Sequence, residues 1–373
     1  MKKKVIAAGH ICIDITPAFP NRQVTEIGDV LRPGKLIEMG KATVSTGGSV
    51  ANTGLGMKIL GADVILMGKI GKDEFGEMIC QIMDKYGVAD GMIRSEEEST
   101  SYSVVLAVPG IDRIFLHNPG ANNGFYSADL DETILREASH FHFGYPPLMK
   151  SMYENDGDEL VTIFRKVKEV GLSTSLDLAA VDADSTAGKA DWKKILGKVM
   201  PYVDFFVPSI EELCFMLDRP RFEDWQHRAK GQDITEILDI ERDIRPLAAE
   251  CMELGAKVLL LKCGAKGLYY CTSSEEVLAQ VGSKCELNCG MWANKEDFEK
   301  AYKPEKVLSG TGAGDTSIAA FLTGMLNGES PEECMHLAAA AGACCVSTYD
   351  ALSGLFPMDK LKEKIAKGWE KCL

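Results

Sequence analysis

The sequence predicts an α/β fold in which helices cover both faces of a central, mainly parallel sheet, with a small β-sheet standing apart from it. Residues Val5–Ile15 are apolar and β-branched with little polar alternation, which is typical of a strand buried on both faces of a parallel sheet. Between residues 140 and 217, strand-like and helix-like segments alternate as they do in right-handed β-α-β crossovers. Short strands within about 16–45 and 99–118 do not fit that alternation, so they are assigned to the small sheet.

The composition limits the class of protein. The chain has 373 residues, 46% of them apolar and 26% charged, and its 41 Lys and Arg against 55 Asp and Glu give a net charge of -14. This composition excludes a disordered protein or a coiled coil, and it argues against binding to nucleic acid or an anionic membrane, which requires a basic surface. The 12 cysteines, including the adjacent pair Cys344 and Cys345, are expected to be reduced thiols. Because no apolar run approaches about 20 residues, we expect a cytoplasmic protein.

The first half of the chain is predicted to contain a strand–turn–helix unit. Its helix follows the glycine pair Gly47 and Gly48 and ends at Gly61, because glycine favours tight turns and helix ends. Two later strands are joined by a Pro-Gly turn and are therefore expected to be antiparallel. The elements are the helices Ser49–Leu60 and Glu74–Tyr86, the strand Asp63–Gly68, and the strand pair Ser101–Val108 and Arg113–His117.

In the second half, short apolar runs predict buried strands and helical periodicity predicts helices. Residues 218–239 are charged and aperiodic and residues 272–306 have no clear period, so both are predicted to be insertions, the second pinned to the body by Trp292 and Phe298. The predicted strands are His140–Phe143, Ser173–Leu178, Asp204–Val207, Lys257–Leu261 and Gly267–Cys271. The predicted helices are Glu159–Val170, Trp192–Val199, Ser209–Leu217, Ile244–Leu254, Gly312–Leu326, Pro331–Thr348 and Met358–Lys367.

The stretch VLSGTGAGDTSIAAFLTGML at 307–326 carries the most informative chemistry. Gly310, Gly312 and Gly314 let the main chain approach a ligand closely, and their amides open into a helix whose N-terminal partial charge favours an anion such as phosphate. Asp315 stands where this turn meets the helix, so its carboxylate could take a proton from an attacking hydroxyl. Taken alone, these residues fit equally well a tight turn whose carboxylate complements the helix dipole.

Two long segments of the chain resemble the signatures of one enzyme family. GTGAGD followed by a helix of small residues is similar to the C-terminal signature of the PfkB family of carbohydrate kinases, which have the ribokinase-like fold. STGGSVANTGLGMKILGADVILMGKIGKDEFGE at 45–77 is similar to the N-terminal signature of the same family. GHICIDI (9–15), GAN (120–122) and KCGAKGLYY (262–270) extend the resemblance over most of the chain.

This resemblance implies one ribokinase-like, three-layer α/β/α domain spanning 1–373, with a small β-sheet lid formed by about 16–45 and 99–118. It implies an ATP-dependent sugar kinase that uses Mg²⁺ and transfers the γ-phosphoryl group of ATP to a hydroxyl, expected to be a primary one, of a monosaccharide or sugar derivative. The implied catalytic residues are Asp315 as general base and Gly312, Ala313 and Gly314 as the anion hole. Family members often pair through their lids, so a homodimer is a further expectation.

The resemblance assigns the acceptor sugar to four residues of the first half: Asp14, Gly47, Gly48 and Asn52. Their chemistry agrees, because a carboxylate and an amide can make several hydrogen bonds to vicinal hydroxyls while glycines let a polyol approach the main chain. The alternative is a turn residue at a strand end followed by a simple strand-to-helix turn.

The nucleotide is assigned by the same resemblance to Lys262, Gly264, Gly267 and Thr311. For the two glycines of this set, a plain β-hairpin turn is a competing interpretation. Members of the family carry an N-x-x-E motif that helps to hold the magnesium ion, whereas this chain reads PSIEE, so Ser209 replaces the Asn and Glu212 keeps the acid. A hydroxyl can still accept a hydrogen bond from a magnesium-bound water, so activity with a rearranged metal shell is expected.

Three other functions compete with the sugar kinase. A nucleoside kinase of the same family is one, and a catalytically weak sugar- or nucleotide-binding protein, suggested by Ser209, is another. A dinucleotide-dependent oxidoreductase is disfavoured, because its glycine fingerprint should follow the first strand. The residues do not name the sugar, and the basic side chains placed to bind a sugar phosphate are Arg22, Arg32, Lys35 and Arg113.

Overall fold

The computed structural model describes residues 3–20, 23–111 and 113–372, and its strands form a large sheet, a small sheet and a short two-stranded pair. The strands are β1 (Lys4–Gly9), β2 (Cys12–Thr16), β3 (Thr43–Gly47), β4 (Asp63–Met67), β5 (Lys69–Gly71), β6 (Ile93–Ser95), β7 (Tyr102–Leu106), β8 (Ile114–Asn118), β9 (His140–Gly144), β10 (Ser173–Leu176), β11 (Phe205–Phe206), β12 (Val258–Lys262), β13 (Gly267–Thr272) and β14 (Glu296–Lys300). The large sheet has the order β14-β13-β12-β11-β10-β9-β1-β4, parallel from β12 to β4 and antiparallel at β13 and β14. The predicted mainly parallel sheet is therefore confirmed.

Helices cover both faces of the large sheet. They are α1 (Ser49–Ile59), α2 (Glu74–Asp84), α3 (Glu132–Glu137), α4 (Lys150–Tyr153), α5 (Asp158–Glu169), α6 (Trp192–Val199), α7 (Ile210–Leu217), α8 (Arg219–Ala229), α9 (Ile234–Ile237), α10 (Arg245–Glu253), α11 (Glu275–Leu278), α12 (Cys289–Trp292), α13 (Ala313–Leu326), α14 (Pro331–Cys345) and α15 (Met358–Ala366). Along β1, Val5 and Ala7 belong to the core shared with α1, α13 and α14, whereas Ile6 and Ala8 belong to the core shared with α5 and α6. Because the side chains of a strand alternate between its faces, this pattern places β1 between two helical layers.

The small sheet has the order β3-β2-β7-β8, and β7 and β8 are antiparallel as the Pro-Gly turn predicts. The prediction of one strand over Val5–Ile15 is wrong, because β1 ends at Gly9 and β2 starts at Cys12 in a different sheet. Gly9 has a φ of 121°, and a side chain there would collide with the carbonyl of Gly144. This turn redirects the chain into the small sheet, a change that an uninterrupted apolar run does not reveal.

Residues 218–239, for which the sequence predicts no regular element, form helices α8 and α9. The carboxylate of Asp218 caps α8 by accepting a hydrogen bond from the amide of Arg221, which satisfies one of the free amides at the helix start. Only Trp225 and Ala229 of α8 are buried. With so small a buried face, the helix leaves no apolar periodicity in the sequence.

Residues 272–306 add an edge to the large sheet. Strand β14 pairs with β13, and Trp292 is 1% exposed with its ring 6.0 Å from that of Phe205, so it pins the segment to the core as predicted. Phe298 lies on β14 and packs against the second core.

Two features concern the cysteines and the membrane. All 12 cysteines lie within the described residues, where each is a free thiol. None of the helices in the described part of the chain combines the length and the apolar character that a membrane span requires.

Buried histidines hydrogen-bond across the middle of the large sheet. The two ring nitrogens of His140 lie 2.7 Å and 2.8 Å from the hydroxyls of Ser173 and Ser175, and Nδ1 of His142 lies 2.8 Å from Ser175 Oγ. Burial lowers the pKa of His142, and that of His10 at the end of β1, to about 3 in each case. Both rings are therefore neutral in the folded protein at neutral pH.

We expect the protein to lose stability as the pH falls below 6.5, the ordinary histidine pKa, towards 3. In that range the unfolded chain binds protons that the folded chain excludes, so each such histidine costs about 1.4 kcal/mol per pH unit. Urea unfolding at pH 7, 6 and 5 measures the slope. His142→Gln should reduce it, whereas His227→Gln, on the exposed face of α8, should not. Equal slopes for wild type and His142→Gln would contradict this account.

Candidate active site

Polar side chains from neighbouring strands meet at the carboxyl edge of the large sheet. Tyr145 follows β9, Asp177 follows β10, Ser209 follows β11 and Lys262 ends β12. The carboxyl ends of parallel strands share one edge, which is where open α/β sheets bind ligands. Helix α13 begins at this edge, since a side-chain carbon at Gly314 would lie 3.4 Å from Nζ of Lys262.

The turn before α13 has the geometry of an anion cradle. Gly312 has a φ of 77°, and the helix that follows has no side-chain cap among the described residues. The Ala313 amide donates to the Gly310 carbonyl at 3.3 Å, and the amides that follow it in the first turn are available to a ligand. The hydroxyl of Thr311 is buried and makes no hydrogen bond within the described part of the chain. A buried hydroxyl of this kind gains a partner when a phosphate oxygen binds, so the turn fits a nucleotide phosphate.

We expect Gly312→Ala to destabilise the protein by about 2–5 kcal/mol, since the left-handed conformation is costly for alanine and the new methyl group would collide with Ala351. Gly310→Ala is the matched control in the same turn, where a side-chain carbon meets open space. Its effect should stay within about 0.5 kcal/mol. Urea unfolding of the two variants measures the difference, and similar losses in both would contradict the expected role of Gly312.

The carboxylate of Asp315 lies in the first turn of α13 and is 3% exposed. The Asn52 amide donates a hydrogen bond to Oδ2 at 3.0 Å, the Thr53 hydroxyl donates to Oδ1 at 3.2 Å, and the Tyr145 hydroxyl lies 2.8 Å from both oxygens. Burial raises the pKa of Asp315, while Lys262 and these hydrogen bonds act in the opposite direction. A buried carboxylate whose pKa is raised towards neutrality is suited to general-base chemistry.

Tyr145 has an unusual backbone conformation, with φ 66° and ψ 40°. The left-handed region costs a residue other than glycine about 1–2 kcal/mol. Such outliers persist where surrounding contacts impose them, often at functional sites. Here the imposed conformation directs the phenol to Asp315.

Lys262 and Asp177 form a buried ion pair beside the turn, with Nζ 2.8 Å from Oδ1. Burial raises the pKa of Asp177 to about 8, although Lys262 opposes that shift. Burial also works against the charge of Lys262, but Asp177, Glu212 and Asp315 together keep its pKa above the usual value. Lys262 is therefore a cation placed at the cradle.

The residues assigned to the acceptor surround the start of α1. A side chain at Gly47 would collide with the Asp14 carboxylate, and one at Gly48, whose φ is 85°, would collide with the His10 carbonyl. His10 Nε2 lies 3.3 Å from Nε2 of His117. Burial lowers the pKa of both histidines and raises that of Asp14. Because Asn52 in α1 donates a hydrogen bond to Asp315, this group of polar residues, the expected acceptor pocket, is in direct contact with the carboxylate.

Ser209 and Glu212 form the capping box of α7. The Ser209 hydroxyl accepts from the Glu212 amide at 3.3 Å, and Glu212 Oε2 accepts from the Ser209 amide at 3.1 Å. Within the described residues, no three His, Cys, Asp or Glu side chains are grouped to hold a metal ion. Magnesium commonly uses one or two carboxylates together with substrate phosphates and water, and Glu212, near Lys262 at the cradle, fits that donor set.

Other residues assigned from the sequence also make contacts within the protein. The atoms nearest to a side-chain carbon at Gly264 belong to Thr235, and those nearest to one at Gly267 belong to β14, so close packing of the hairpin accounts for both glycines. Arg32 pairs with Asp29 and Arg113 donates to the Ser309 hydroxyl at 3.1 Å. Among the other basic candidates, Lys35 is exposed and Arg22 lies outside the described residues.

Sequence reasoning missed Tyr145, Asp177, Thr53 and His10. Three of them follow directly after, or one residue beyond, the ends of strands of the large sheet. A rule that tests each polar residue after a predicted parallel strand would have found Tyr145, two residues beyond the predicted strand His140–Phe143. The same rule would have missed Asp177, because the predicted strand Ser173–Leu178 includes it.

An anion cradle beside a buried base is what phosphoryl transfer to a hydroxyl requires, so fold and site together define a kinase-type α/β enzyme. A family model described as pfkB family carbohydrate kinase matches residues 2–356. The chain belongs to the pfkB family of carbohydrate kinases and is a phosphotransferase with an alcohol group as acceptor.

Individual proteins agree with this assignment. The chain is 28% identical over 304 residues to an uncharacterized sugar kinase of Archaeoglobus fulgidus, covering 81% of this chain and 98% of that protein. It is 24% identical over 382 residues to fructokinase-2 of Oryza sativa subsp. japonica, covering 97% and 94% of the two chains. The structure of Arabidopsis thaliana ribokinase complexed with ribose and ATP superposes with a TM-score of 0.71 at 22% identity, covering 97% of this chain and 98% of that one, so it has the same fold.

Proposed function

We propose that the protein is an ATP-dependent sugar kinase that transfers the γ-phosphoryl group of ATP to a primary hydroxyl of a monosaccharide or sugar derivative, with Asp315 as general base. The observation that carries this proposal is the position of Asp315, which lies in the first turn of α13 and accepts a hydrogen bond from Asn52 of the acceptor pocket. A base that borders both the anion cradle and the polyol pocket supports direct transfer between the two ligands.

In this mechanism the acceptor hydroxyl attacks the γ-phosphorus and gives its proton to Asp315, and the bond from that phosphorus to the ADP oxygen breaks. The amides of Gly312, Ala313 and Gly314 stabilise the charge on the transferring group, since they stand at the positive end of α13. Lys262 adds a positive charge at the same place. Thr311 supplies a hydroxyl that has no other partner in the described structure.

Glu212 is the residue that would hold Mg²⁺ together with the nucleotide. When bound, the ion supplies positive charge to the β- and γ-phosphates. Ser209 already serves as the cap of α7, so its hydroxyl has a structural role in this chain. A requirement for Mg²⁺ remains a prediction.

The pocket chemistry favours an uncharged acceptor. Asp14 and Asn52 present a carboxylate and an amide, and His10 and His117 are held neutral because burial lowers the pKa of each. Arg32 pairs with Asp29 on the exposed surface, so it does not provide a phosphate site inside the pocket, and Arg113 donates to Ser309 beside the cradle. We therefore place free monosaccharides ahead of sugar phosphates as substrates.

Release of ADP from Mg-ATP tests the function against a panel of free sugars, sugar phosphates, keto-deoxy acids and nucleosides, with Asp315→Ala as control. Turnover on a free sugar that the substitution removes is the expected result. Turnover on a nucleoside would instead identify a nucleoside kinase. Absence of turnover on the whole panel, with ATP binding intact, would favour the binding-protein alternative. The cytoplasmic location and the homodimer through the lid remain predictions.

A further inference from the structure

We propose that the phenol hydroxyl of Tyr145 occupies the place beside Asp315 that the acceptor hydroxyl must take, and that it thereby prevents the base from activating water. We call this hydroxyl the shutter. The inference rests on the proposed function, in which Asp315 is the general base. Tyr145 is a positioning residue in this account, since it acts through Asp315.

The hydrogen bonds of Asp315 provide the first argument. A carboxylate accepts about four hydrogen bonds, two at each oxygen. Thr53 and Tyr145 occupy Oδ1, and Asn52 and Tyr145 occupy Oδ2. An acceptor hydroxyl must approach to about 2.6–3.2 Å to give up its proton, so one of these donors has to yield its position.

The location of the donors indicates which one yields. Asn52 and Thr53 lie in α1, where Thr53 is fully buried, so neither can withdraw without moving the helix. Tyr145 instead lies in the turn after β9, in a backbone conformation unfavourable for a residue other than glycine. It is the donor that a modest change of the turn would release.

Tyr145 also stands between the two ligand sites. Its ring centroid is 6.2 Å from that of His10 in the acceptor pocket. On the other side, the charges of Asp177 and Glu212 act on its hydroxyl, with Asp315 itself the nearest carboxylate. An acceptor that fills the pocket therefore meets the phenol before it meets the base.

Removing only the hydroxyl would open a place for water. In Tyr145→Phe the ring keeps its volume, and a water molecule can take the former position of the phenol oxygen beside both carboxylate oxygens. That water would attack the γ-phosphorus and give a proton to Asp315 as the bond to the ADP oxygen breaks, leaving ADP and inorganic phosphate.

The test is ADP release from Mg-ATP without any acceptor. We expect Tyr145→Phe to raise it about tenfold, the factor that corresponds to loss of one hydrogen bond to a charged group. Tyr153→Phe controls for loss of a phenol elsewhere, since the ring of Tyr153 contacts Trp192.

The double variant Tyr145→Phe/Asp315→Asn separates the two hypotheses. If the double variant abolishes the extra ADP release, the result supports both Asp315 as the base and the Tyr145 hydroxyl as the shutter. If Tyr145→Phe transfers phosphate to the sugar normally but shows no extra release, the shutter is wrong and the proposed function stands. If the double variant keeps the extra release, Asp315 is not the base and both fail. A rise with Tyr153→Phe as large as with Tyr145→Phe would also overturn the shutter. Thermal unfolding checks that each variant folds.

Discussion

Replacement of Asp315 by asparagine is expected to lower the rate constant of phosphoryl transfer about 10³-fold, the loss typical of removing a general base. Asparagine keeps the size of the side chain, and its carbonyl oxygen can still accept from Asn52 or Thr53. What it cannot do is take the proton of the acceptor hydroxyl. The measurement is kcat at saturating ATP and sugar, compared with the wild-type protein.

The control for this prediction is Asp14, a half-buried carboxylate of the same site. Asp14→Asn should raise KM for the sugar and lower kcat much less, because Asp14 is assigned to binding rather than to proton transfer. Nucleotide affinity, measured by calorimetry, should change little in either variant. If Asp315→Asn retained a tenth of wild-type kcat, Asp315 would not be the base.

The glycine turn and its helix could be predicted because their chemistry is local. Gly310, Gly312, Gly314 and Asp315 are close in sequence, and the small residues that follow predict the helix that starts at Ala313. The contact between Asp315 and Asn52 spans 263 residues, and no local pattern indicates it. Only the similarity of two distant segments to one family led to the expectation that they share a site.

Residues at strand ends were harder to predict. Tyr145 and Asp177 become neighbours of Asp315 through the parallel order β1-β9-β10, which local patterns do not determine. The break after Gly9 was missed for a related reason, because β1 and β2 are both apolar and differ only in the sheet they join.

Glycines have more than one possible explanation. Gly264 and Gly267 are assigned to the nucleotide, and Thr235 and β14 pack against them closely enough to require glycine by themselves, so the assignment stays a prediction. Gly312 satisfies a structural demand as well, since Ala351 fills the space beside it. A glycine therefore indicates close approach, and the identity of the approaching group has to come from the fold.

The last prediction concerns the cation at the cradle. Lys262→Met is expected to lower kcat/KM for ATP about 10²-fold, because a charge-assisted contact to phosphate contributes about 2–3 kcal/mol. The fold should survive, since burial raises the pKa of Asp177 and Lys262 opposes that shift, so that without Lys262 the carboxyl takes up a proton and leaves no unpaired buried charge. Lys266→Met is the matched control in the same turn, where the ammonium group contacts the Leu238 carbonyl at 3.1 Å. Steady-state kinetics with varied ATP measure kcat/KM in both variants. Equal losses of kcat/KM would indicate a general effect of the turn. If Lys262→Met lost no kcat/KM, Lys262 would not belong to the nucleotide site.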